Sequence, residues 1–504
     1  MSTKQLEENY QENQNKFHNF INNIKRNINV DIYSVINPTL IKNPYASDFP
    51  KKFFSQNFNI NKKYVLFIKN TIKFYIKNLY LICSYLVAFV LYKIYYKKQR
   101  KNNIVNIIDI FVLVDKVNKN KEFNDKYLDG IYEVFKKYNT NYTFLLRPYG
   151  VNKNPFKLKK FFQIINKDAN DFIFEYELLN VFDFFLITWI VVVYPFRTLR
   201  LLQKERNDID KSFNYSLIYD ITHFSFNSVT RYIFGKNLAN INSIKKIYSW
   251  SEFQAIERGF NFGIRKYNDK IRIIACQFYL NYETYFNAYV DDIDFDMLSS
   301  PHRVLVNGKY YVLNRKKIKY SIGVSLRYKD VFCFKGVVEE NNILLLGSYI
   351  EKDTKYMLET INDFDSVIFK NHPAVNIAKF GKLAKNITVS DKNIYKLFEN
   401  TKLVIGTASG TSVEAIACGI SVIIIASQDN LTANPLVDYG KGKIWDIAFN
   451  EDDMKKLYNK LIEYRKNNQD EIQQMARWYR DNFFVEPTEE NIVKAFDLDG
   501  EIYK

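Results

Sequence analysis

The second half of the chain alternates short apolar runs with segments of helical periodicity, and this alternation constrains the fold more than any other feature. The apolar runs stand at 343–349, 366–370, 387–391, 402–406 and 421–426. Short apolar strands that alternate with helices indicate a parallel sheet that is covered on both faces. We therefore predict that this half folds as an α/β domain.

The first half has a similar but less regular pattern. Its strand candidates stand at 104–114, 142–150, 246–250, 271–277 and 303–309. The two patterns meet near 319–330. The sequence therefore predicts an α/β fold with two Rossmann-like domains that face a cleft, preceded by extra N-terminal helical segments.

Composition divides the chain into four regions. Residues 1–60 are polar and rich in asparagine, and we expect helices and loops that pack on the edge of the following domain. We expect the first Rossmann-like domain at 61–325 and the second at 326–485. The remaining residues, 486–504, are expected to form a C-terminal tail.

The chain is basic. It has 72 lysines and arginines against 55 acidic residues, a formal charge of +17 in 504 residues. This excess favours an anionic partner such as a nucleotide, lipid head groups or nucleic acid. Lys, Asn, Ile, Tyr and Phe are abundant together, and the bias of an AT-rich genome explains the charge equally well. No aromatic and basic pattern typical of RNA recognition is present, so we expect no nucleic-acid partner.

Two apolar stretches raise the question of membrane contact. Residues 79–92 are uncharged and have lysines on both sides, and 182–202 is apolar and then basic, with Pro195 inside it. The first is shorter than the ~20 residues that a spanning helix needs. Buried core helices, an in-plane membrane-associating surface and true spans are the three alternatives, and we expect peripheral attachment to an anionic inner membrane surface as a hypothesis.

The cysteines and the N-terminus favour the cytoplasm. Four cysteines lie far apart with no C-x-x-C pair, which is typical of a reducing compartment. The first residues are polar and lack the apolar core of a secretory signal. We therefore expect a cytoplasmic protein that is peripheral on the inner face of the membrane.

A cluster of small and hydroxylated residues stands between two apolar runs at 403–426. Ser409, Gly410, Thr411 and Ser412 lie where strand LVIG gives way to helix SVEAIACG. Open α/β sheets bind ligands at this edge, and the first N–H groups of a helix suit a phosphate or carboxylate. Simple N-capping is the alternative, although it needs one such residue rather than several. Glu414 follows in the same helix, where it would accept ribose hydroxyls or complement the helix dipole.

A second polar cluster ends the strand SVIFK. Lys370, Asn371, His372 and Pro373 place a cation, an amide and an imidazole at the same predicted sheet edge. Pro373 biases His372 toward extended backbone geometry, which would fix the direction of the ring. A lone histidine is often structural. Its position beside Lys370 favours phosphate binding here.

These motifs together resemble a known family. The order K-x-H-P, G-T-x-S-G-T-S-x-E-A and G-x-x-V is similar to the nucleotide-sugar half of GT-B glycosyltransferases that build capsular and other surface polysaccharides. The stretches WSEFQ, KIRIIACQ, PHRVLVNGKYY and IGVSLRY resemble the acceptor half of the same group. The resemblance covers about residues 245 to 450. It implies that the first domain is the acceptor side and that the second binds the nucleotide-sugar donor.

The resemblance also implies roles for individual residues. The implied donor-binding residues are Lys370, Ser409, Gly410, Thr411, Ser412 and Glu414. The implied catalytic residues are Glu252 and His372, and the implied acceptor-side residues are Gln254, Gln277 and Asn307. One position departs from the pattern, because this chain has Phe278 where the group often has histidine after Gln277.

The resemblance predicts metal-independent glycosyl transfer, with a nucleotide sugar as substrate and no cofactor. Glu252 would take the proton of the acceptor hydroxyl, while N–H groups and His372 stabilise the departing phosphate. Glu257 is the second choice as base, although a solvated helix face explains it better. The expected acceptor is a hydroxyl of a glycan or a lipid-linked glycan.

Three alternatives stay open. The run DDIDFD carries Asp292, Asp294 and Asp296 at a spacing that other transferases use for a divalent metal, but we interpret it as a solvated loop. A GT-B-like sugar-nucleotide epimerase shares the fold. A non-catalytic membrane-associated scaffold would explain the charge and the apolar stretches, but it leaves the two polar clusters unexplained.

Overall fold

The computed structural model describes residues 3–56, 63–98, 104–150, 154–428 and 431–498. These residues contain two separate parallel sheets, one in each half of the chain. The strands are β1 (Asn106–Leu113), β2 (Tyr142–Tyr149), β3 (Phe172–Ile173), β4 (Lys246–Trp250), β5 (Arg272–Gln277), β6 (Arg303–Val306), β7 (Lys319–Ile322), β8 (Asn342–Leu346), β9 (Val367–Lys370), β10 (Ile387–Val389), β11 (Thr401–Gly406), β12 (Ser421–Ile425) and β13 (Trp445–Ala448).

The helices stand before, between and after these strands. They are α1 (Thr3–Arg26), α2 (Ile32–Val35), α3 (Pro38–Ile41), α4 (Phe49–Ser55), α5 (Lys63–Tyr95), α6 (Val114–Asn120), α7 (Tyr132–Lys137), α8 (Lys157–Ile165), α9 (Val181–Leu199), α10 (Asp208–Tyr219), α11 (Phe226–Leu238), α12 (Ala255–Tyr267), α13 (Asp292–Asp296), α14 (Asp330–Cys333), α15 (Glu351–Thr360), α16 (Ile394–Phe398), α17 (Thr411–Ala417), α18 (Glu451–Asn467), α19 (Gln469–Phe483) and α20 (Glu489–Phe496).

Both sheets are wound in two directions from a central strand. The first runs β3-β2-β1-β4-β5-β6-β7 and the second β10-β9-β8-β11-β12-β13, with every pair parallel. The predicted α/β class with two Rossmann-like domains is confirmed. In each sheet the strand order reverses beside the first strand, and open sheets bind ligands outside the carboxyl ends at such a point.

The core of the first domain lies on both faces of its sheet. Alternate residues of β1 face opposite sides: Ile108 packs with helix α5 on one face, while Ile107 packs with α11 and α12 on the other. This alternation follows from the two-residue period of a strand. It explains why the strands are almost continuously apolar.

Every strand predicted from the sequence is present, and three strands went unrecognised. β3 has only two residues, and β7 lies inside the stretch taken as the junction between domains. β13 was missed because Asp446 interrupts its apolar run. All three are at or near the edges of their sheets, where one side of the strand is exposed and the sequence carries a weaker apolar signal.

The N-terminal region joins the two domains rather than one alone. Its helices pack Phe17 and Phe54 against Phe286 of the first domain, and the same apolar cluster includes Leu431 of the second. The expectation of packed helices is confirmed for the described residues. The domain limits at 60, 325 and 485 stay predictions.

Two chain segments have more structure than the sequence pattern indicated. The apolar run at 79–92 is part of a much longer helix, α5, because its lysines are spaced so that the helical period continues through them. The segment 486–504, expected as a C-terminal tail, contains helix α20 in its described part. Helix α20 packs Phe496 against Tyr248 and Phe135 of the first domain, because its apolar side would otherwise face water.

Candidate functional site

Loops at the carboxyl ends of the two sheets meet in a cleft. The Tyr282 hydroxyl, from the segment after β5, donates to the Ala408 carbonyl after β11 at 3.1 Å. Leu280 lies so close to Gly410 that a β-carbon there would stand 3.0 Å from it. The glycine is therefore needed for this approach. The predicted cleft is present, and the Ser/Thr loop forms part of its wall.

The Ser/Thr loop is placed as the sequence predicted. Helix α17 begins at Thr411, directly after Gly410, and no side chain caps it. N-capping by a hydroxyl, the alternative interpretation, is therefore wrong. Ser409, Gly410 and Thr411 are half-buried at the cleft wall, whereas Ser412 is fully buried and its hydroxyl has no partner among the described residues. The side chain of Ser412 thus lies behind the wall.

Glu414 is buried and already hydrogen-bonded. The Tyr395 hydroxyl donates to its carboxylate at 2.5 Å, and the Thr411 hydroxyl donates to it as well. Burial raises the pKa of Glu414 above its usual value. Its position beneath the loop lets it hold Thr411 and Tyr395, and one carboxylate oxygen is engaged by Tyr395.

Arg327 is the residue that sequence reasoning missed. It is exposed, and its guanidinium carbon lies 5.5 Å from the Trp250 ring centroid and 5.8 Å from that of Tyr127, both in the first domain. Its charge also acts on Glu414 of the second domain, where it opposes the rise in pKa. A planar, permanently charged donor in this position suits a phosphate. The signal was available, because Arg327 stands in the IGVSLRY stretch.

His372 and Lys370 both follow β9 but differ in their surroundings. His372 is half-buried, its Nδ1 accepts from the Ala374 N–H at 3.2 Å, and burial lowers its pKa. A neutral ring with an accepting Nδ1 carries its proton on Nε2, which is then a donor. The Lys370 ammonium instead donates to the Lys392 carbonyl at 2.6 Å. His372 is therefore the better placed of the two for a ligand.

A row of aromatic rings crosses the cleft from His372. Tyr349 lies 5.9 Å from His372 between centroids, Tyr45 lies 5.4 Å from Tyr349, and Tyr285 lies 5.8 Å from Tyr45. Tyr45 belongs to the N-terminal region. No sequence signal placed it here, because it reaches the cleft only through the packing of α1 to α4 against both domains.

Glu252 stands at the carboxyl end of β4, on the first-domain side. It is half-buried, and its carboxylate accepts from the Trp250 indole N–H at 3.3 Å. After burial, its charge is the main factor that raises the pKa of Tyr279 and Tyr285. The carboxylate is therefore close to these hydroxyls and is not held by a salt bridge within the described residues.

The three residues predicted for the acceptor side have structural contacts. Gln254 caps α12, accepts from Asn43 at 2.9 Å and hydrogen-bonds the Tyr285 hydroxyl. Gln277 is buried and donates to the Ala288 carbonyl at 2.8 Å. Asn307 is fully buried, and its amide has no partner among the described residues. Of the three, Gln254 is half-buried, whereas Gln277 and Asn307 are buried.

Glu257 does not lie on a solvated helix face, so that interpretation is wrong. It is 2% exposed, pairs with Arg147 at 2.5 Å and accepts from the Gln254 N–H at 2.9 Å. Burial raises the pKa of Glu257 to about 7. Arg147 also contacts Asp109, so these groups form an ion network behind Glu252.

The aspartates of DDIDFD are all engaged by donors. Asp292 accepts from two backbone N–H groups, and Asp296 pairs with Lys317 at 2.6 Å. Asp294 is buried, rather than part of a solvated loop, because Lys25 and Arg258 neutralise it at 2.7 and 2.9 Å. Cations of this kind compete with a metal. The described residues contain no cluster of three or more histidine, cysteine or acidic side chains suited to a metal ion.

Comparison with known proteins gives likeness of structure only. No protein-family model and no curated sequence matches the chain. A protein described as a UDP-N-acetylglucosamine 2-epimerase from Listeria monocytogenes is similar over 79% of this chain and 97% of its own, with 10% identity and a TM-score of 0.42. The calicheamicin glycosyltransferase CalG4 is similar over 80% and 99%, with 8% identity and a TM-score of 0.41. The wall teichoic acid polymerase TagF is similar over 86% and 98%, with 10% identity and a TM-score of 0.38.

The protonation of His372 is open to direct measurement, because the chain has only four histidines. Burial lowers the pKa of His372 and His302 below 6.5 and that of His18 to about 3, while the carboxylate of Asp220 raises that of His223. Above pH 6.5, His372 is therefore mostly neutral. We expect NMR titration of labelled histidines to give one midpoint above 6.5 and three below, with His372→Ala removing one of the three. A His372 midpoint above 6.5 would contradict this.

Proposed function

We propose that the protein is a metal-independent glycosyltransferase of the GT-B type. It transfers a sugar from a nucleotide-sugar donor to a hydroxyl of a surface polysaccharide or glycolipid acceptor. The second domain binds the donor, the first presents the acceptor, and no cofactor takes part. The protein acts in the cytoplasm, and nucleic acid is not a partner.

One observation carries this proposal: Arg327 is an exposed cation in the cleft, beside the Ser/Thr loop that begins helix α17. Its charge reaches Glu414, directly below that loop, and its guanidinium lies near Trp250 of the opposite domain. In α17 the Ser412 and Val413 N–H groups already donate to the Ser409 and Gly410 carbonyls at 3.1 and 2.9 Å, so the Thr411 N–H, at the first helical position, is the helix donor suited to an anionic oxygen. Together these donors favour a nucleoside phosphate between the domains.

The proposed reaction is a displacement at the anomeric carbon of the donor sugar. Glu252 accepts the proton of the acceptor hydroxyl as its oxygen bonds to that carbon, and the bond from carbon to phosphate oxygen breaks. Negative charge that develops on the leaving phosphate is stabilised by Arg327, by the Nε2–H of His372 and by the Ser409 hydroxyl. These donors would replace a divalent metal.

Two other functions compete with this one. A sugar-nucleotide epimerase would use the same cleft and would convert its substrate without an acceptor. A non-catalytic membrane-associated scaffold would need no nucleotide. The exposed cation and the half-buried imidazole at one cleft favour an enzyme, because a scaffold gives neither group a task.

Nucleotide binding is the first test. We expect one of CMP, CDP, UDP, GDP or TDP to stabilise the protein thermally, since a ligand at 100 times its dissociation constant adds about 2.7 kcal/mol. Arg327→Ala should lose most of this stabilisation. Arg477→Ala removes an exposed arginine of α19 and should retain it. His372→Ala should weaken binding about 10- to 150-fold, the value of one hydrogen bond to a charged group.

Each other outcome has a distinct meaning. If no nucleotide stabilises the protein, the glycosyltransferase proposal is wrong and the non-catalytic scaffold is favoured. If a free sugar nucleotide is converted without an acceptor, the protein is an epimerase. Loss of transfer in chelator that Mg²⁺ restores would contradict metal independence.

A further inference from the structure

Helices α5 and α9 lie side by side on the outside of the first domain. The Tyr75 hydroxyl of α5 donates to the Val192 carbonyl of α9 at 2.7 Å. Phe89 packs on Phe184, with 5.1 Å between ring centroids. Residue numbers rise along α5 as they fall along α9, so the helices are antiparallel. Both are long and apolar enough to cross a membrane.

Each helix carries a continuous stripe of exposed apolar side chains. On α9 the stripe is Phe182, Phe185, Trp189, Val192 and Phe196, which are 43% to 82% exposed. On α5 it includes Ile68, Ile72, Ile76, Leu79 and Val90, which are 51% to 68% exposed. Spacings of three and four residues keep the α9 stripe, and Ile68 to Leu79 of α5, on one side of the helix; Val90 follows Leu79 by about three helical turns, with Leu86, 40% exposed, between them.

The two stripes belong to one face. An α-helix has 3.6 residues per turn, so the direction of each side chain round the helix axis follows from its number. On α5, the stripe and the side that contacts α9 are about 90° apart round the axis. On α9, the angle between the stripe and the side that contacts α5 is similar. Because the helices are antiparallel, these rotations point both stripes to the same side of the pair. We call this surface the α5–α9 face. Continuous exposed apolar patches of this kind mark protein or membrane contacts.

Charge selects a lipid surface with anionic head groups. Helix α5 contains no acidic residue, and Lys69, Lys73 and Lys93 are exposed along it. At the far end of α9, Arg200 is also exposed. Apolar side chains bordered by lysine and arginine are the composition of helices that lie at a membrane interface.

The packing of α5 against the first domain excludes that this helix spans a membrane. The side opposite its stripe is buried against the first domain along most of its length, from Phe74 to Tyr92. A helix that crossed the bilayer would carry this domain, with its charged surface, into the hydrocarbon. The alternatives for the apolar stretches were core helices, an in-plane membrane surface and true spans. A core helix fits poorly as well, because the apolar stripe is exposed.

We propose that the α5–α9 face docks in the plane of an anionic bilayer surface, with the aromatic side chains of α9 in the acyl boundary. Docking needs neither nucleotide nor acceptor, so it stands independently of the proposed function.

Vesicle partitioning tests the docking face. Wild type should bind phosphatidylcholine vesicles that contain phosphatidylglycerol, and bind pure phosphatidylcholine vesicles less. Phe185→Glu combined with Trp189→Glu should weaken binding about 100-fold or more, because two large side chains can no longer enter the lipid. Val338→Glu introduces a charge at a side chain that is 77% exposed but lies outside the face, and should bind as wild type. Unchanged thermal unfolding would show that the double variant is folded.

Three results would overturn the proposal. Wild type that binds neither vesicle would exclude a lipid partner, and so would a double variant that binds as wild type. If wild type is dimeric without lipid and the double variant is monomeric, a second copy of the chain covers the face instead. Nucleotide stabilisation should be the same in wild type and double variant, so failure of docking and failure of the transferase proposal are distinguishable.

Discussion

Glu252→Gln is expected to lower turnover about 100- to 10,000-fold, the usual contribution of a positioned general base. Glutamine keeps the size of the side chain and an oxygen that accepts from the Trp250 indole N–H, now 3.3 Å from the carboxylate. It cannot take a proton from the acceptor. The loss should therefore appear in turnover, while nucleotide binding and thermal stability stay close to wild type.

A matched control separates this effect from a general loss of charge. Glu463 is exposed on α18, far along the chain from the cleft residues, and Glu463→Gln should have full activity. Transfer rates measured with the nucleotide sugar chosen by the binding screen give the comparison. Glu252→Gln with turnover within threefold of wild type would remove Glu252 from the chemistry. It would leave the proposed donor site untouched.

Arg147→Met is expected to destabilise the first domain by about 3 to 5 kcal/mol, the cost of breaking a buried ion pair on one side. Arg147 is 5% exposed and contacts Glu257 at 2.5 Å and Asp109 at 3.1 Å. Methionine fills similar space but leaves the Glu257 carboxylate buried without its direct cation. The measurement is the urea midpoint of unfolding.

The destabilisation should depend on pH. Burial raises the pKa of Glu257 in the folded protein to about 7 from 4.5, so the folded state binds more protons than the unfolded state between these values. Stability from this group therefore falls as pH rises through that window. Arg147 opposes the rise in pKa, and its removal should steepen the fall. We expect the gap between Arg147→Met and wild type to be smaller at about pH 5 than at about pH 7.

An exposed ion pair provides the contrast. Lys455 contacts Asp363 and Glu451 at 2.7 Å but is 42% exposed at its side chain. Lys455→Met should shift the urea midpoint much less than Arg147→Met does, because solvent screens such pairs. Equal destabilisation by both variants would contradict the role of the buried network. Loss of stability in Arg147→Met that does not change with pH would exclude Glu257 as its cause.

The buried network also connects stability to the site. Arg147 donates to the Trp250 carbonyl at 2.5 Å, Glu257 holds the N–H of Gln254, and Glu252 lies between these two positions. The backbone that carries Glu252 is thus held on both sides by buried charges. If Glu252 is the base of the proposed reaction, a change at Arg147 should also reduce turnover, because small displacements of a general base are costly.

Local sequence pattern determined the two sheets and the position of the Ser/Thr loop. Apolar runs of strand length are buried on both faces, and a loop at the carboxyl end of such a strand must open on the same edge as its neighbours. Ser409 and His372 were therefore predictable as members of one edge. Their spacing in the sequence and the direction of parallel strands are enough for that inference.

Tertiary packing decided which of these side chains are available. Ser412 is turned behind the wall and Lys370 is held by a carbonyl, although both fit the sequence pattern. Tyr45 enters the cleft from an N-terminal segment with no strand or loop signal, whereas Arg327 stands in the IGVSLRY stretch, whose pattern did not show which of its side chains faces the cleft. The helical pattern predicts that Glu257 lies on the surface. The residue is instead buried, and it pairs with Arg147, which is more than 100 positions away in the sequence. The joint face of α5 and α9 likewise exists only because two separate helices pack antiparallel. Periodicity reports which side of an element is apolar, but contacts between distant segments determine what finally covers that side or leaves it exposed.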